Sequence, residues 1–268
     1  MGNFGVFNST GAGQTWGVSY TQYLLAREAY RGFVNVGVDD KLFDVTFING
    51  IAVPGLVARR SRSLTVGYNA RNETEASQWS YGLDFAHSLG GGAGNDLASY
   101  KTEDPRIDSA KWQALRGSAA LSLPLTGRWV WSARSQFQYA NRTLISGEQF
   151  GLGGQTSVRG TSDRPISGDR GVLLSTELSS GELVPGLRAL GFVDAGALSN
   201  ATANGTTKPD RDHLASLGLG LRYSGQGGMS VVADYARIIT GSRVPLTLNS
   251  GSPQRGDDKL HLSISARF

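Results

Sequence analysis

The side chains best suited to catalysis or metal binding are few in this chain and lie far apart. Its three histidines, His87, His213 and His261, stand at no metal-ligand spacing, and the chain has no cysteine. Zinc sites draw clustered ligands from cysteine, histidine and carboxylate side chains. Neither a Ser–His–Asp set nor a pair of carboxylates is indicated by spacing. The sequence therefore predicts a protein that is not an enzyme and that uses no metal and no other cofactor.

Three short segments have compositions that are typical of ligand-binding motifs. GGAGNDLA, residues 91–98, fits a calcium nonapeptide that works in stacked copies. Residues 151–160 are rich in glycine, yet no G-K-[ST] follows, so a phosphate cradle is not indicated. The arginines of residues 58–63 are better interpreted as entering a strand than as a nucleic-acid patch, and the formal net charge is only +4. We expect no nucleic-acid partner and no small-molecule substrate.

One long connection carries a stronger signal. Residues 148–171, EQFGLGGQTSVRGTSDRPISGDRG, contain six glycines and three arginines. A connection of this length without secondary structure is uncommon and is usually functional. Arg159 lies in its middle, while Phe192, Asp194 and Gly196 share one face of a later strand. A bidentate pair between Arg159 and Asp194 would fix the loop in one position, although Arg159 could also be a solvated loop residue.

The segments around this loop alternate apolar and polar residues with period two. In residues 78–87, for example, Trp79, Tyr81, Leu83 and Phe85 alternate with small or polar residues. The pattern predicts about eleven strands of about ten residues, the length of a tilted membrane-spanning strand. The predicted strands are 14–25, 31–40, 62–71, 78–87, 112–123, 129–141, 172–180, 188–198, 213–223, 229–239 and 260–268.

Two features favour a membrane barrel over a soluble sandwich, which would also alternate. Bulky polar residues such as Arg134, Gln136 and Gln138 suit a wet lumen, and aromatic residues stand at strand ends. The connections also alternate, short near 26–30, 72–77, 124–128, 181–187 and 224–228, and long near 41–61, 89–111, 142–170, 199–212 and 240–257. Short periplasmic turns and long external loops are typical of bacterial outer-membrane barrels. We predict an all-β, antiparallel transmembrane β-barrel in the bacterial outer membrane.

The number of strands leads to an expectation about the chain as a whole. An odd set of about eleven strands would leave two unpaired edges in lipid, whereas a closed barrel of this type has an even number. We therefore expect residues 1–268 to be the C-terminal part of a barrel domain whose first strands and export signal are absent from this sequence.

The loop and the later strand carry a family resemblance. GGQTSVRG, then SGDRG and the strand VLLSTEL, closely resembles the sixth extracellular loop of two-partner-secretion transporters of the TpsB type, relatives of the haemolysin activator and haemagglutinin transporters. Their loop-tip tetrad, Val-Arg-Gly-aromatic, stands here as Val158, Arg159, Gly160 and Thr161, with threonine in place of the aromatic residue. Their F-x-D-x-G pattern stands as Phe192, Asp194 and Gly196, and the chain ends on Phe268, which resembles the family's assembly signal.

The resemblance implies a sixteen-strand barrel preceded by a signal peptide and periplasmic POTRA domains. It implies a pore that translocates a large exoprotein of haemolysin or adhesin type to the cell surface, with loop 142–170 folded into the lumen. The implied partners are the exoprotein, outer-membrane lipid and the barrel-assembly machinery. Two alternatives stay open: an outer-membrane insertase of the same superfamily and a passive porin-type channel.

Overall fold

The computed structural model describes residues 13–24, 26–44, 47–48, 51–52, 55 and 57–267. They form antiparallel strands, one helix, α1 (Leu97–Glu103), and 3-10 turns at Thr126–Arg128, Ser146–Glu148 and Gln226–Gly228. The strands are β1 (Gly13–Tyr23), β2 (Tyr30–Phe43), β3 (Phe47–Ile48), β4 (Ile51–Ala52), β5 (Arg59–Glu73), β6 (Gln78–Leu89), β7 (Gln113–Pro124), β8 (Val130–Ala140), β9 (Phe150–Leu152), β10 (Ile166–Gly168), β11 (Arg170–Ser179), β12 (Leu187–Ser199), β13 (Arg211–Ser224), β14 (Ser230–Thr240) and β15 (Asp258–Ser265).

Eleven of these strands form one sheet in which each strand pairs with its neighbours in the chain order. The order is β1-β2-β5-β6-β7-β8-β11-β12-β13-β14-β15, and every pairing is antiparallel. The remaining four strands form two small hairpins, β3 with β4 and β9 with β10, inside long connections. The eleven predicted strands and the all-β, antiparallel fold class are confirmed.

The alternation of short and long connections is confirmed as well. Short connections cover 24–29, 74–77, 125–129, 180–186 and 225–229, and long ones cover 44–58, 90–112, 141–169, 200–210 and 241–257. Because neighbouring strands are antiparallel, all short connections lie at one end of the strands and all long ones at the other. None of the described helices is long and apolar enough to cross a membrane.

The sheet exposes its apolar face and buries its polar face. On β13, Leu217, Leu219 and Leu221 are 49–71 % exposed, whereas Ser216, on the opposite face, is fully buried. On β14, Tyr235 is exposed and Asp234 is buried. Sheets of soluble proteins pack the apolar face on a core, so the reversed arrangement suits an apolar outer surface in lipid around a polar lumen.

Candidate functional site

The loop 142–170, which connects β8 to β11, folds back against the wall strands and is held by an apolar stem. The stem is the hairpin of β9 and β10, in which Leu152 pairs with Ile166. Both residues are buried in one cluster with residues of the tip and of the wall strands, namely Val158, Leu173, Leu198, Leu214 and Ile238. Residues 155–161, beyond the stem, form the loop tip. Apolar packing alone therefore places the tip against the wall strands.

The tip is joined to β12 through a single carboxylate. Arg159 donates from Nε and Nη2 to the two oxygens of Asp194, at 2.8 Å each. The backbone N–H of Arg159 donates to Oδ2 of the same carboxylate at 3.1 Å. Arg159 is 1 % exposed and Asp194 is fully buried. Such a bidentate pair fixes orientation as well as charge, so it determines where the tip lies on the wall.

Two further carboxylates approach the same guanidinium. Glu177 of β11 lies 2.6 Å from Nη1 of Arg159, and Asp234 of β14 lies 3.7 Å from it. Asp234 is also paired with Arg222 of β13 at 2.7 Å. Burial by itself lowers the pKa of Arg159, but hydrogen bonds and charge from Asp194 and Glu177 outweigh burial, and the pKa lies above its ordinary value. Arg159 is therefore the charged centre of a network that spans four adjacent strands.

The three residues of the F-x-D-x-G pattern each make a different contact with the loop. They lie on the same face of β12 because side chains alternate along a strand. Beside Asp194, the ring of Phe192 lies under the guanidinium, with Cζ of Arg159 3.4 Å from the ring centroid, a cation–π contact. Gly196 leaves room for Leu152, since a Cβ there would lie 2.5 Å from Cδ2 of that leucine. β12 thus supplies a carboxylate for the charge of Arg159, an aromatic ring for its guanidinium plane and space for the apolar stem of the loop.

Gly160 extends the attachment to the last strand of the sheet. Its backbone N–H donates to Nε2 of His261 on β15 at 3.1 Å. The φ angle of Gly160 is +97°, in the region that favours glycine, and a Cβ would lie 3.1 Å from the carbonyl oxygen of Ala236. Glycine therefore allows both the turn of the tip and its close approach to β14.

Val158 and Thr161, the other residues of the tetrad, pack against the wall and close the loop, respectively. Val158 is fully buried in the stem cluster. Thr161 is 5 % exposed, and its hydroxyl accepts from the backbone N–H of Gly154 at 2.9 Å. The same hydroxyl lies 3.2 Å from the carbonyl oxygen of Val158. At the position where the resemblance implies an aromatic residue, this chain has a small side chain that closes the loop onto its own backbone.

The loop base, residues 144–149 and 167–169, contains a buried anion. The side chain of Glu148 is fully buried, and its two oxygens accept from Lys41 of β2 at 3.0 Å and Arg116 of β7 at 2.8 Å. Burial alone raises the pKa of Glu148, but the charges of Lys41 and Arg116 outweigh it and hold the pKa below its ordinary value. Glu148 is therefore ionised at neutral pH and ties the base to two strands of the wall, β2 and β7.

Asp169, also fully buried, satisfies backbone donors at the same base. One oxygen accepts from the backbone N–H of Leu144 at 2.9 Å and from Nε2 of Gln149 at 3.1 Å. The other oxygen accepts from the backbone N–H of Ala201 at 2.9 Å. A single carboxylate therefore holds the start of the loop and the next external loop together.

Lys208, in the connection between β12 and β13, donates hydrogen bonds to the loop base. Its Nζ donates to Oε1 of Gln149 at 2.9 Å and to the carbonyl and hydroxyl oxygens of Ser167 at 2.8 and 2.9 Å. Burial, assisted by the charge of Arg106, lowers the pKa of Lys208 to about 8. The sequence did not lead us to predict roles for Glu148, Asp169 and Lys208. For Glu148 and Asp169, a charged residue inside a glycine-rich or apolar stretch could have indicated a buried charge.

A cavity of about 700 Å³ lies beneath the loop tip. Arg159, Glu177 and Asp234 border it, as do Asn72 and Gln78 next to the short turn at 74–77. The cavity therefore runs from the tip to the short-turn end of the strands. It is called the vestibule below.

The chain was compared with models of protein families. Residues 1–223 match the family described as haemolysin secretion/activation protein ShlB/FhaC/HecB. The protein belongs to this family. Membership agrees with the resemblance carried by the loop tetrad and by the F-x-D-x-G strand, and it identifies the chain as a barrel portion of the TpsB type from the bacterial outer membrane.

Among curated proteins, the chain is similar to outer-membrane transporters named CdiB. It is 25 % identical to that of Dickeya dadantii over 173 residues, which cover 65 % of this chain and 30 % of the relative. It is 31 % identical to one from Escherichia coli over 138 residues, which cover 46 % of this chain and 24 % of the relative. The chain thus spans less than a third of the length of these ShlB/FhaC/HecB-like relatives.

Solved structures support the same fold. CdiB from Escherichia coli matches with a TM-score of 0.77 at 20 % identity, covering 96 % of this chain and 45 % of that one. CdiB from Acinetobacter baumannii matches with a TM-score of 0.71 at 19 % identity, covering 94 % and 41 %. BamA from Haemophilus ducreyi, lacking POTRA domains 1–3, gives 0.61 at 16 % identity, covering 94 % and 55 %.

The remaining predicted features fall outside the loop site. In GGAGNDLA, Asp96 caps helix α1 by accepting from the backbone N–H of Ser99 at 2.9 Å. Within the described part of the chain, no group of three or more histidine or acidic side chains could hold a metal ion. Of the arginines in residues 58–63, Arg60 and Arg62 pair with Asp40 at 3.2 and 2.7 Å. Phe268, the expected assembly signal, lies outside the described residues.

Proposed function

We propose that the protein carries a large exoprotein of haemolysin or adhesin type from the periplasm to the cell surface by two-partner secretion. In this proposal loop 142–170 closes the lumen at rest, with Arg159 and Asp194 as its fastening. The contact that carries the proposal is the buried, bidentate Arg159–Asp194 pair at the end of a loop that enters the barrel. A passive channel has no need of such a fastening.

The proposal assigns each group a task during transport. The exoprotein chain enters from the short-turn end, through the vestibule, and displaces the tip from β12. Polar side chains of the lumen, such as Arg134 and Gln136, then offer hydrogen bonds to the extended chain. The sequence contains no nucleotide-binding motif, so folding of the exoprotein outside the cell would supply the driving force. Outer-membrane lipid and the barrel-assembly machinery, which would read Phe268, are the other proposed partners.

Secretion by substituted transporters tests the proposal. Arg159→Ala, Asp194→Ala and the double substitution should each abolish surface delivery of the exoprotein while the barrel still assembles. The double variant should be no worse than the single ones, because both substitutions break one contact. Arg142→Ala is the matched control, since it removes an exposed ion pair with Asp108 from the same loop. Normal secretion by all three tip variants would contradict the proposal and favour a passive channel.

A further inference from the structure

The vestibule carries four arginines, and three of them are paired with carboxylates. Arg159 binds Asp194 and Glu177. Arg222 forms two hydrogen bonds with Asp234, at 2.7 and 2.9 Å. Arg71, at the short-turn end, has Nη1 3.7 Å from Glu73. The anions that border the vestibule are therefore already engaged by these three arginines.

Arg134 of β8 is the fourth arginine and is bound differently. Its Nη1 donates to the backbone carbonyl oxygen of Thr156 at 3.0 Å, a neutral acceptor. Within the described part of the chain, no carboxylate lies within ion-pair distance of this guanidinium. Asp194, Glu177 and Asp234 act on it only at longer range. Arg134 thus brings a positive charge into the vestibule without a carboxylate ligand of its own.

Because Thr156 belongs to the loop tip, this hydrogen bond also holds the tip against β8. Thr156 lies in the turn of the loop that leads into Arg159, so Arg134 is a second fastening of the tip, from β8 on the opposite side of β11 from β12. It also borders the vestibule together with Thr156 and Arg159. A group that arrives from the short-turn end therefore meets Arg134 at the place where it holds the loop.

We propose that Arg134 is a docking point for carboxylates of the exoprotein, the aspartate and glutamate side chains of an extended segment entering the vestibule. The inference rests on the proposed function, which supplies the polypeptide. A guanidinium binds a carboxylate through two parallel, charge-assisted hydrogen bonds, which are about twice as strong as bonds to neutral acceptors. A carboxylate that binds through Nη1 and Nη2 takes the place of the carbonyl of Thr156 on Nη1. Docking removes one fastening of the tip, and arrival of the exoprotein is coupled to opening of the lumen.

Block of ion conductance by peptides tests this directly. The purified protein, in the form that the cell places in its outer membrane, is inserted into planar lipid bilayers, and peptides are added on the short-turn side. Three peptides of equal length are compared, made of alternating glycine with aspartate, serine or lysine. The aspartate peptide should block the current at about a tenth of the concentration that the serine peptide needs. The lysine peptide should block at no lower concentration than the serine peptide.

The variants separate a specific site from the general field of the lumen. Arg134→Gln should remove the preference for the aspartate peptide. Arg71→Gln, which deletes one positive charge from the same vestibule, should keep it. If both variants lose the preference equally, or if Arg134→Gln keeps it, the docking point is wrong. Should Arg134→Gln fail to assemble, Arg134→Met keeps the side-chain length and carries the same expected result.

This readout does not depend on secretion, so the two proposals can fail separately. Loss of peptide preference in Arg134→Gln, together with normal secretion by the Arg159 variants, would keep the docking point and overturn the fastening role of Arg159. The reverse pattern would keep the fastening and overturn the docking point.

Discussion

The tip and the base of loop 142–170 both rest on buried ions, but the two ends are held in different ways. At the tip a cation, Arg159, meets carboxylates of three strands, β11, β12 and β14. At the base an anion, Glu148, meets cations from β2 and β7, which are separated in the sheet by β5 and β6. The tip is attached to the arc of the wall from β11 to β14, and the base is attached to the arc from β2 to β7.

This difference indicates which end can move. Arg159, Glu177 and Asp234 border the vestibule, so these groups would be hydrated when the tip leaves the wall. Hydration offsets part of the loss of the buried pairs. Glu148 does not border the vestibule, and release of the base would leave its partners on two separate strands. We infer that the base is a fixed anchor and the tip a reversible fastening.

The largest effect is expected at the base. Glu148→Gln removes the charge that compensates Lys41 and Arg116, and breaking a buried pair of this kind costs about 3–5 kcal/mol. The free energy of unfolding of the folded barrel in urea should fall by this amount. Glu182→Gln, which removes an exposed ion pair with Arg188, is the matched control and should leave stability within about 0.5 kcal/mol. Equal stability of both variants would show that Glu148 is no anchor.

Acidification should act on the same anchor. Because the pKa of Glu148 lies below its unfolded value, its contribution is fully present above the unfolded pKa and is lost as the pH falls through the folded pKa. The stability of the natural protein should therefore fall more steeply on acidification than that of Glu148→Gln. Parallel pH profiles for the two proteins, measured by urea unfolding, would contradict this assignment.

An intermediate effect is expected at the tip. Arg159→Ala or Asp194→Asn should raise the resting conductance of the pore in planar bilayers, because the tip then leaves the lumen. Both should reduce the free energy of unfolding by less than Glu148→Gln does, since water in the vestibule replaces the lost contacts. A tip variant that destabilises the barrel as much as Glu148→Gln, with unchanged conductance, would remove the distinction between the two ends.

A smaller effect is expected from backbone geometry. Gly160→Ala places a Cβ 3.1 Å from the carbonyl oxygen of Ala236 at a φ of +97°, so closure should weaken by about 1 kcal/mol, a roughly five-fold gain in openings. Gly205→Ala is the control, because Gly205 also has a positive φ, of +72°, but a Cβ there meets nothing within 4 Å. Single-channel recording should separate the two; equal opening frequencies would mean that contact with β14 is unimportant.

The last effect, confined to alkaline pH, concerns Lys208. Its pKa of about 8 in the folded protein lies below the ordinary value of 10.5, so between these values the unfolded chain binds more protons than the folded one. Stability should therefore rise with pH over this window. Lys208→Met should remove that rise, as measured by the midpoint of thermal unfolding at several pH values. A rise that persists in Lys208→Met would assign it to another group.

The strands were predictable because their signal is local. Alternation in residues 78–87 is visible in ten consecutive letters, and β6 covers Gln78–Leu89. The change of connection length from one strand end to the other depends on the same pattern. The period-two pattern therefore locates the strands along the chain. Their order in the sheet follows, since neighbours in the chain are neighbours in the sheet.

The two ends of the loop were not equally predictable. Asp194 could be named for Arg159 because Phe192, Asp194 and Gly196 match the F-x-D-x-G pattern of the family that the loop resembles, and they share one strand face. Glu148 has no such pattern, since Lys41 lies 107 positions away and its pairing depends on how the barrel curves. The role of Thr161 could not be predicted either, because its hydrogen bond from the N–H of Gly154 depends on the folded path of the loop.

The absence of cysteine from the sequence allows the most direct test. A Cβ at Gly160 would lie 3.3 Å from Cβ of Ala236, and a Cβ at Gly168 would lie 3.3 Å from Cβ of Leu198, both near the separation in disulfides. The double substitution Gly160→Cys/Ala236→Cys therefore locks the tip, and Gly168→Cys/Leu198→Cys locks the base. Exoprotein secretion is measured under oxidising conditions and again after reduction. The account predicts that the tip lock stops secretion until the disulfide is reduced, whereas the base lock leaves secretion unchanged. Secretion that proceeds with the tip locked would contradict the reversible fastening.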